Sequence, residues 1–460
     1  MKKKYLYYLF PLAGVIFCLW YLHLAVVDVV YSDYIRLVNS YLPDVWNLDK
    51  FFVPDVLTRV PANYLGRIIN VELFGYNLNF DRILGVIGLG LSALVIARFC
   101  LRKRIGLGWL AILMIVMFSL NKWEMLINGS GWPHFMAFAG FYYHYHVMDR
   151  VWAGQERNYD RKLLIFLPLF NVIFIAGPYC AIYSVTVILA SGFLFFIGKS
   201  CRKKEDNRWL IYAGVMLAAL LLYMVSNSFA VEDHAAPADT TLLQQLMDTP
   251  GYFIRFLLTS FSSMVIGIER ALLVFSTNLP FMVLGGLVIV AYILALWLNW
   301  HYRLYKETIV PLILLISGGL NHVLVLLSRW IFLQENYGAS SRYALQFQAG
   351  ILGIIITFAL VWKKMKKDKV YVIRGAAAAV CIMFVIGNGY TTYHEWLKAP
   401  DRKASFESMR EMALDFENRT DDELRGKFEY RMSTPGSGAA VRKALTILKE
   451  NGWNVFREEN

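Results

Sequence analysis

One carboxylate in this chain is placed where it can do chemistry. Asp33 falls in Tyr31-Ser32-Asp33-Tyr34-Ile35-Arg36, just past a long apolar run that begins near residue 6. A carboxylate there sits at a membrane face, half withdrawn from water, and partial desolvation makes a carboxylate a stronger base. At that depth a base reaches both a lipid-anchored molecule and a soluble acceptor. The same position also serves plain structure, because an aspartate just ahead of a short helix caps its N-terminus. Asp28 lies inside the apolar run. It pairs there with an arginine or acts as a second carboxylate, unless the run leaves the membrane early and Asp28 is simply hydrated. Arg36 adds a cation one turn beyond Asp33.

Cations are the second ingredient. Arg342-Tyr343 closes the stretch Asn336-Tyr337-Gly338-Ala339-Ser340-Ser341-Arg342-Tyr343. Glycine and serine allow a ligand to approach the backbone closely, arginine holds phosphate through two nitrogens, and Tyr343 can anchor at the interface. An ordinary loop with a snorkelling arginine has the same appearance. Arg329 and Glu335 precede the stretch and read as a pair. Arg255 and Arg270 are further phosphate-binding candidates, with snorkelling again the alternative. His134 stands at the edge of a short loop containing Lys122 and Glu124, within reach of a substrate held near Asp33. His144 and His146 are two residues apart, a spacing that suits a strand rather than one helix face, so no metal pair is read there. His322 is expected to be packed and hydrogen-bonded inside a span. The cysteines (Cys18, Cys100, Cys180, Cys201 and Cys381) form no paired motif.

These residues need elements to hold them, and the composition names the elements. Of 460 residues, 57% are hydrophobic and only 17% are charged, against about 25% charged in soluble domains. The mean hydropathy is +0.45. A soluble enzyme, a disordered chain and a nucleic-acid binder are excluded on those grounds. The expected class is an all-α polytopic membrane protein. Apolar stretches near the roughly 20 residues that cross a bilayer recur along the chain. They fall at 6–30, 82–100, 106–121, 133–148, 163–177, 179–198, 209–228, 280–299, 308–328, 345–362 and 371–391, about 11 transmembrane helices. Segment 252–276 is apolar but carries Arg255, Glu269 and Arg270. It reads as an interfacial or re-entrant helix, because a charge at mid-bilayer costs about 2.5–3.5 kcal/mol on insertion scales.

Position explains much of the net charge of +12. Basic clusters occur at Lys2–Lys4, Arg98–Arg104, Arg150–Lys162, Lys199–Arg208, Arg303–Lys306 and Lys363–Arg374. Basic flanks stay in the cytoplasm. One topology satisfies every cluster, with the N-terminus cytoplasmic and the C-terminus external. The N-terminal lysines and the apolar run after them read as a first membrane helix rather than a cleaved signal, since the run is long and lacks a small-x-small site. Residues 1–391 are then a transmembrane module, with a long first external loop at 31–81 and a second at 229–279. Pro61 starts a helix at 61–75 whose stripe of Tyr64, Leu65, Ile68, Ile69 and Leu73 suits the membrane surface. Residues 392–460 form a small external C-terminal region, helical at 421–428 and 441–449, that packs on the other external loops.

No Walker loop, dinucleotide fingerprint or Ser-His-Asp pattern is present, and no cytoplasmic loop is large enough for a nucleotide-sugar domain. Chemistry would lie outside, with a lipid-linked activated donor. The first helix ending at Asp33, the long external loop with surface helices, the many spans and the external tail resemble the GT-C superfamily of integral-membrane glycosyltransferases. Similar stretches are Gly338-Ala339-Ser340-Ser341-Arg342-Tyr343 and the tail from Val441-Arg442-Lys443-Ala444-Leu445 to Val455-Phe456. The similarity is to the bacterial branch that modifies surface polysaccharides from polyprenyl-phosphate sugars. The resemblance implies a GT-C-like fold in a bacterial plasma membrane, a polyprenyl-phosphate sugar donor, a glycan or cell-wall polymer acceptor, Asp33 as the base and Arg342 as a ligand of the donor phosphate. Many members carry two adjacent acids after the first helix. Here Tyr34 follows Asp33, and Asp28 is too distant to replace the missing acid, so the resemblance gives no support for a divalent metal and no cofactor is expected. Alternatives of other classes are a flippase or transporter for lipid-linked glycans, a polymerase or ligase of such glycans, and a non-enzymatic envelope scaffold.

Overall fold

With no water in a bilayer to satisfy peptide groups, a spanning chain closes its hydrogen bonds within helices. The computed structural model describes residues 2–52, 60–200, 207–228, 240–274, 277–365, 371–431 and 436–457, and no strand occurs among them. In chain order the helices are α1 (Lys2–Ala25), α2 (Asp33–Tyr41), α3 (Pro61–Phe74), α4 (Leu78–Arg102), α5 (Leu107–Met117), α6 (Trp123–Asn128), α7 (Trp132–Trp152), α8 (Asp160–Leu169), α9 (Cys180–Ser200) and α10 (Arg208–Asn227). They continue as α11 (Leu242–Asp248), α12 (Pro250–Ser262), α13 (Ile268–Val274), α14 (Leu279–His301), α15 (Val310–Arg329), α16 (Ala344–Lys364), α17 (Tyr371–Leu397), α18 (Ala399–Leu414), α19 (Asp421–Lys427) and α20 (Ser437–Glu450).

Among the described residues, nine helical stretches are long and apolar enough to cross a membrane. The chain is therefore a multi-pass, all-α membrane protein. Those stretches cover nine of the expected spans. The other two expectations, 133–148 and 163–177, fall on α7 and on α8 with its continuation. α7 is long but lined with His, Tyr, Asp149 and Arg150, and almost all of it is buried against other helices. α8 carries Pro168 and passes into a π-helical stretch at Phe170–Ala176. The expected break at Gly177-Pro178 is present: Gly177 takes a φ of 53°, which only glycine adopts without strain.

Packing is organised around α16, which is buried from Ala344 to Ala359. Its Gly350 meets Gly318 of α15 backbone to backbone, so a side chain on either would collide. Small residues at such crossings let membrane helices approach closely. Leu217, Leu221 and Leu222 of α10, Val283, Leu287 and Val290 of α14, and Ile382 and Ile386 of α17 face outward, as a lipid-covered surface requires.

Arg102, Lys103 and Lys363 gather at one end of the bundle. Arg102 at the foot of α4 pairs with Asp149 of α7. Lys103 donates to Glu307 O at 2.7 Å, Lys363 to Lys103 O at 2.8 Å, and Trp152 to Tyr305 O at 2.6 Å. At the opposite end lie the residue 26–32 loop, α2, α3, the start of α7, the 330–343 stretch and the C-terminal helices.

Several expectations are corrected in detail. The first span ends at Ala25, not near 30, so Asp28 lies beyond the helix. The surface helix forms as α3, but Tyr64 and Ile68 turn inward while Leu65, Ile69 and Leu73 stay exposed. Within segment 252–276, Tyr252 lies beside Trp330 and Ser260 beside His322, so α12 runs along α15 for eight residues, about 12 Å. The chain then returns beside α17, where Gly267 N–H donates to Thr391 at 3.0 Å. Residues 275–276 of that segment lie outside the described residues, as do 229–239 of the second external loop. Lys122 is not a loop cation; it is buried and donates to the carbonyls of Met117 and Ser119 at the end of α5. His322 is packed as expected, between Phe261 and Phe347 with ring centroids 3.8 Å away on each side.

Candidate functional site

The loop after α1 is held from three directions. Arg82 of α4 is buried and donates to Val27 O at 3.1 Å and to Ile127 O at 2.8 Å, tying the loop to α6. Asp28 accepts from Leu78 N–H at 2.8 Å, at the start of α4. Burial pushes the Asp28 carboxyl above its ordinary range, against the opposing pull of that hydrogen bond and of Arg82. Ser32 N–H donates to Phe428 O in the C-terminal region at 2.8 Å. Ser32 has a φ of 49°, an uncommon backbone state for a residue with a side chain.

That turn presents Asp33 at the first position of α2. The cap position belongs to Ser32, which makes no side-chain cap bond, so Asp33 is not the N-cap. Tyr34, next in sequence, is fully buried and donates to Asp81 at 2.8 Å. Burial first, and then Asp81, holds its phenol protonated. Asp33 itself is half-buried. Among the described residues its carboxylate accepts no hydrogen bond and joins no ion pair. It lies within electrostatic reach of Arg342 and Tyr179. Arg36 is on the same helix, one turn on and half-buried.

Arg342 is engaged rather than free. Its guanidinium pairs with Glu124 of α6, and Ser341 donates to the other oxygen of the same carboxylate at 3.0 Å. Tyr343 is buried against Tyr337 and Phe347. His134 stands at the start of α7 with its ring on Tyr179, centroids 3.7 Å apart, and its buried Nδ1 has no hydrogen-bond partner. Asp33, Arg342, Tyr343 and His134 therefore converge, with Tyr179 at their centre.

The expected Arg329–Glu335 pair does not form. Glu335 pairs with Arg255 at 2.6 Å, which leaves Arg329 without an ion-pair partner among the described residues. Arg329 ends α15 half-buried, its Nε buried with no acceptor, and its charge acts on Tyr179 and Tyr343. It is the cation the sequence reading passed over, because Glu335 stood close enough in sequence to neutralise it. Arg255 is bound to the rim and has no contact with Asp33 or Arg342 among the described residues. Arg270 lies in α13, and its side chain falls outside the described ones. The buried His144 bonds to Tyr183 at 2.6 Å, and His146 packs edge-on against Phe99. Among the described residues no three His, Cys, Asp or Glu side chains gather to hold a metal ion.

Space at the site is limited. A cavity of about 10 Å³ is bordered by Trp123, Ser263, Ser341, Glu269 and Glu395, enough for one water. A larger hollow of about 360 Å³ opens at the basic end, bordered by Trp152, Leu194 and Trp209. No family model matches the chain, and neither a curated protein nor a solved structure matches it.

Proposed function

We propose that the chain is an integral-membrane glycosyltransferase of the GT-C type. It crosses a bacterial plasma membrane eleven times, with the basic end cytoplasmic and Asp33 at the external face. The donor is a polyprenyl-phosphate sugar and the acceptor a glycan or cell-wall polymer. The observation that carries this reading is a half-buried carboxylate without a partner among the described residues, within electrostatic reach of Arg342, with Arg329 acting on the same Tyr179.

In the reaction, Asp33 takes the proton of an acceptor hydroxyl as that oxygen attacks the anomeric carbon. The carbon–phosphate oxygen bond breaks, and the lipid phosphate leaves with its electron pair. Arg329, with Arg342 once Glu124 releases it, receives the negative charge that builds on the phosphate. General-base assistance contributes roughly 10²–10⁴-fold, and preorganised cations add electrostatic stabilisation of the leaving group. A single displacement inverts the anomeric centre. His134 and Tyr179 line the sugar side of Asp33. Arg255, on the 252–276 segment, acts on the lipid-phosphate as it approaches; the side chain of Arg270 on the same segment lies outside the described ones. The arrangement needs no metal, and Tyr34 at the place of a second acid fits that.

The test is incubation of purified protein with a panel of polyprenyl-phosphate sugars and glycan acceptors, comparing wild type with Asp33→Asn. The expected result is transfer by wild type and none by the variant, with unchanged thermal unfolding. Undiminished transfer by Asp33→Asn removes Asp33 from the chemistry. Transfer from no donor by wild type removes the glycosyltransferase reading itself.

A further inference from the structure

Asn454 lies more than four hundred residues from Asp33 in sequence, yet it is built into the loop that presents it. Its backbone N–H donates to Gly75 O at 2.9 Å. Its Nδ2 donates to Asp28 at 2.9 Å and to Tyr76 O at 3.1 Å, and its Oδ1 accepts from Val30 N–H at 3.2 Å. Every one of these bonds goes to the two loops flanking α1 and α4. The residue is buried and has a φ of 55°, a left-handed state that asparagine and glycine adopt more readily than other residues. A second strut from the same region, Phe428 O, takes the N–H of Ser32. Around these contacts α20 packs on α2, with Asn39 donating to Ala440 O at 2.8 Å. Arg457 donates to Phe74 O at 3.1 Å.

Four bonds from one asparagine exceed what is needed to dock a small helical tail. They fix Val30, and with Phe428 they fix Ser32, the two residues whose backbones set where Asp33 points. We infer that the C-terminal region is part of the site and that Asn454 is its positioning residue, latching the 26–32 loop so that Asp33 faces Arg342 and Tyr179. The catalytic half of this inference rests on the glycosyltransferase reading; the latch itself does not. The chemistry of the latch is that of a primary amide, giving a proton to one carboxylate and taking one from a peptide.

That chemistry supplies the test. Asn454→Gly keeps the left-handed backbone and deletes the amide. Asn454→Asp keeps the acceptor for Val30 but replaces the donor with a carboxylate facing Asp28. The other charged or titratable groups around that spot are Arg67 of α3, Arg82 and Asp81 of α4, Arg410 of α18, Arg457 and Tyr76. At neutral pH the two carboxylates repel; at lower pH they share a proton and the donor is restored. Hydrogen exchange of the full-length protein in detergent is read at Val30 and Ser32, and transfer is read with polyprenyl-phosphate hexoses. Asn454→Gly is expected to speed exchange at both amides roughly tenfold and to lower kcat while leaving the acceptor KM within about twofold. Asn454→Asp is expected to lose turnover near pH 7.5 and to recover, relative to wild type, as the pH falls to about 5.5. Unchanged exchange at Val30 and Ser32 in Asn454→Gly overturns the latch. Faster exchange with undiminished turnover overturns its catalytic role. If wild type transfers no sugar, the glycosyltransferase reading fails, and the exchange data still decide the latch.

Discussion

The two ends of the helix bundle hold their charges in opposite ways. At the basic end Asp149 is completely buried and saturated. It pairs with Arg102, lies 3.3 Å from Lys103, and accepts from Thr308 Oγ1 at 2.6 Å and Ile309 N–H at 2.7 Å. Nearby, Arg150 and Asp160 form a two-pronged buried pair. At the opposite end Asp33 has no partner among the described residues, and Arg329 and His134 each bury a nitrogen without one. The basic end also buries Arg102 Nε and Nη1 without acceptors, so the contrast lies in the two aspartates: Asp149 is saturated, and Asp33, at the unsaturated end, is open. A buried polar atom left unpaired costs about 1–3 kcal/mol, and an open carboxylate is free to meet a ligand.

Exchanging one carboxylate at each end sharpens this contrast most. Asp33→Asn is expected to lower transfer by roughly 10²–10⁴-fold while moving stability by no more than about 0.5 kcal/mol, because no bond is lost. Activity assays and thermal unfolding of the same preparation measure both effects. A variant that unfolds early would mean the aspartate is structural after all.

Asp149→Ala is expected to do the reverse. It strands the charges of Arg102 and Lys103, and removing one member of a buried ionic network costs about 3–5 kcal/mol. Unfolding temperature should fall sharply, while transfer per folded molecule stays near wild type. Loss of turnover in the folded fraction would mean that the two ends are coupled and the contrast is wrong.

Within the unsaturated end, Arg329 and Arg342 differ in the same way as the two aspartates. Arg329 has no counter-ion among the described residues, so its charge is available to a leaving phosphate. Arg329→Ala is expected to reduce turnover by about 10²–10³-fold, the scale seen when one preorganised stabilising group is removed. Arg342→Ala should cost less, because its charge is already shared with Glu124. Equal losses in the two variants would show that Glu124 does not restrain Arg342 during turnover.

Which parts were legible in the sequence follows from the length scale of each signal. Spans and basic flanks are written in consecutive residues, so the class of fold and the end that gathers Arg102, Lys103 and Lys363 could be read directly. Two of the expected spans are not among the nine apolar candidates. α7 trades apolar residues for a buried row of Tyr, His and Asp149, and α8 changes its helical pitch after Leu169. The place of Asp33 just past the first helix was legible because its distance from an apolar run is itself local. The pairing of charges was not. Glu335 is six residues from Arg329 but meets Arg255, eighty residues away, since α12 runs alongside α15 there. The Asn454 latch left no trace, for nothing near Asn454 distinguishes an asparagine that turns a helix end from one that reaches Asp28.

The smallest expected effect tests the bridge between Glu124 and Arg342. Both oxygens of Glu124 are occupied, one by the Arg342 guanidinium and one by Ser341, and Ser341 and the neighbouring Trp123 line the small cavity. A phosphate arriving at Arg342 must displace this carboxylate. Glu124→Gln removes the competing charge but keeps the side-chain length. Half-exposed pairs of this kind are worth about 0.2–1 kcal/mol, so phosphate binding should tighten by no more than about fivefold. The gain should shrink at high salt, where exposed charges are screened. Titration of wild type and Glu124→Gln with a polyprenyl phosphate, followed through Trp123 fluorescence, measures it. Weaker binding in the variant would mean that Glu124 itself holds the ligand. The unsaturated end would then be an acceptor site whose working carboxylates are two, Asp33 and Glu124, with Arg329 alone left for the phosphate.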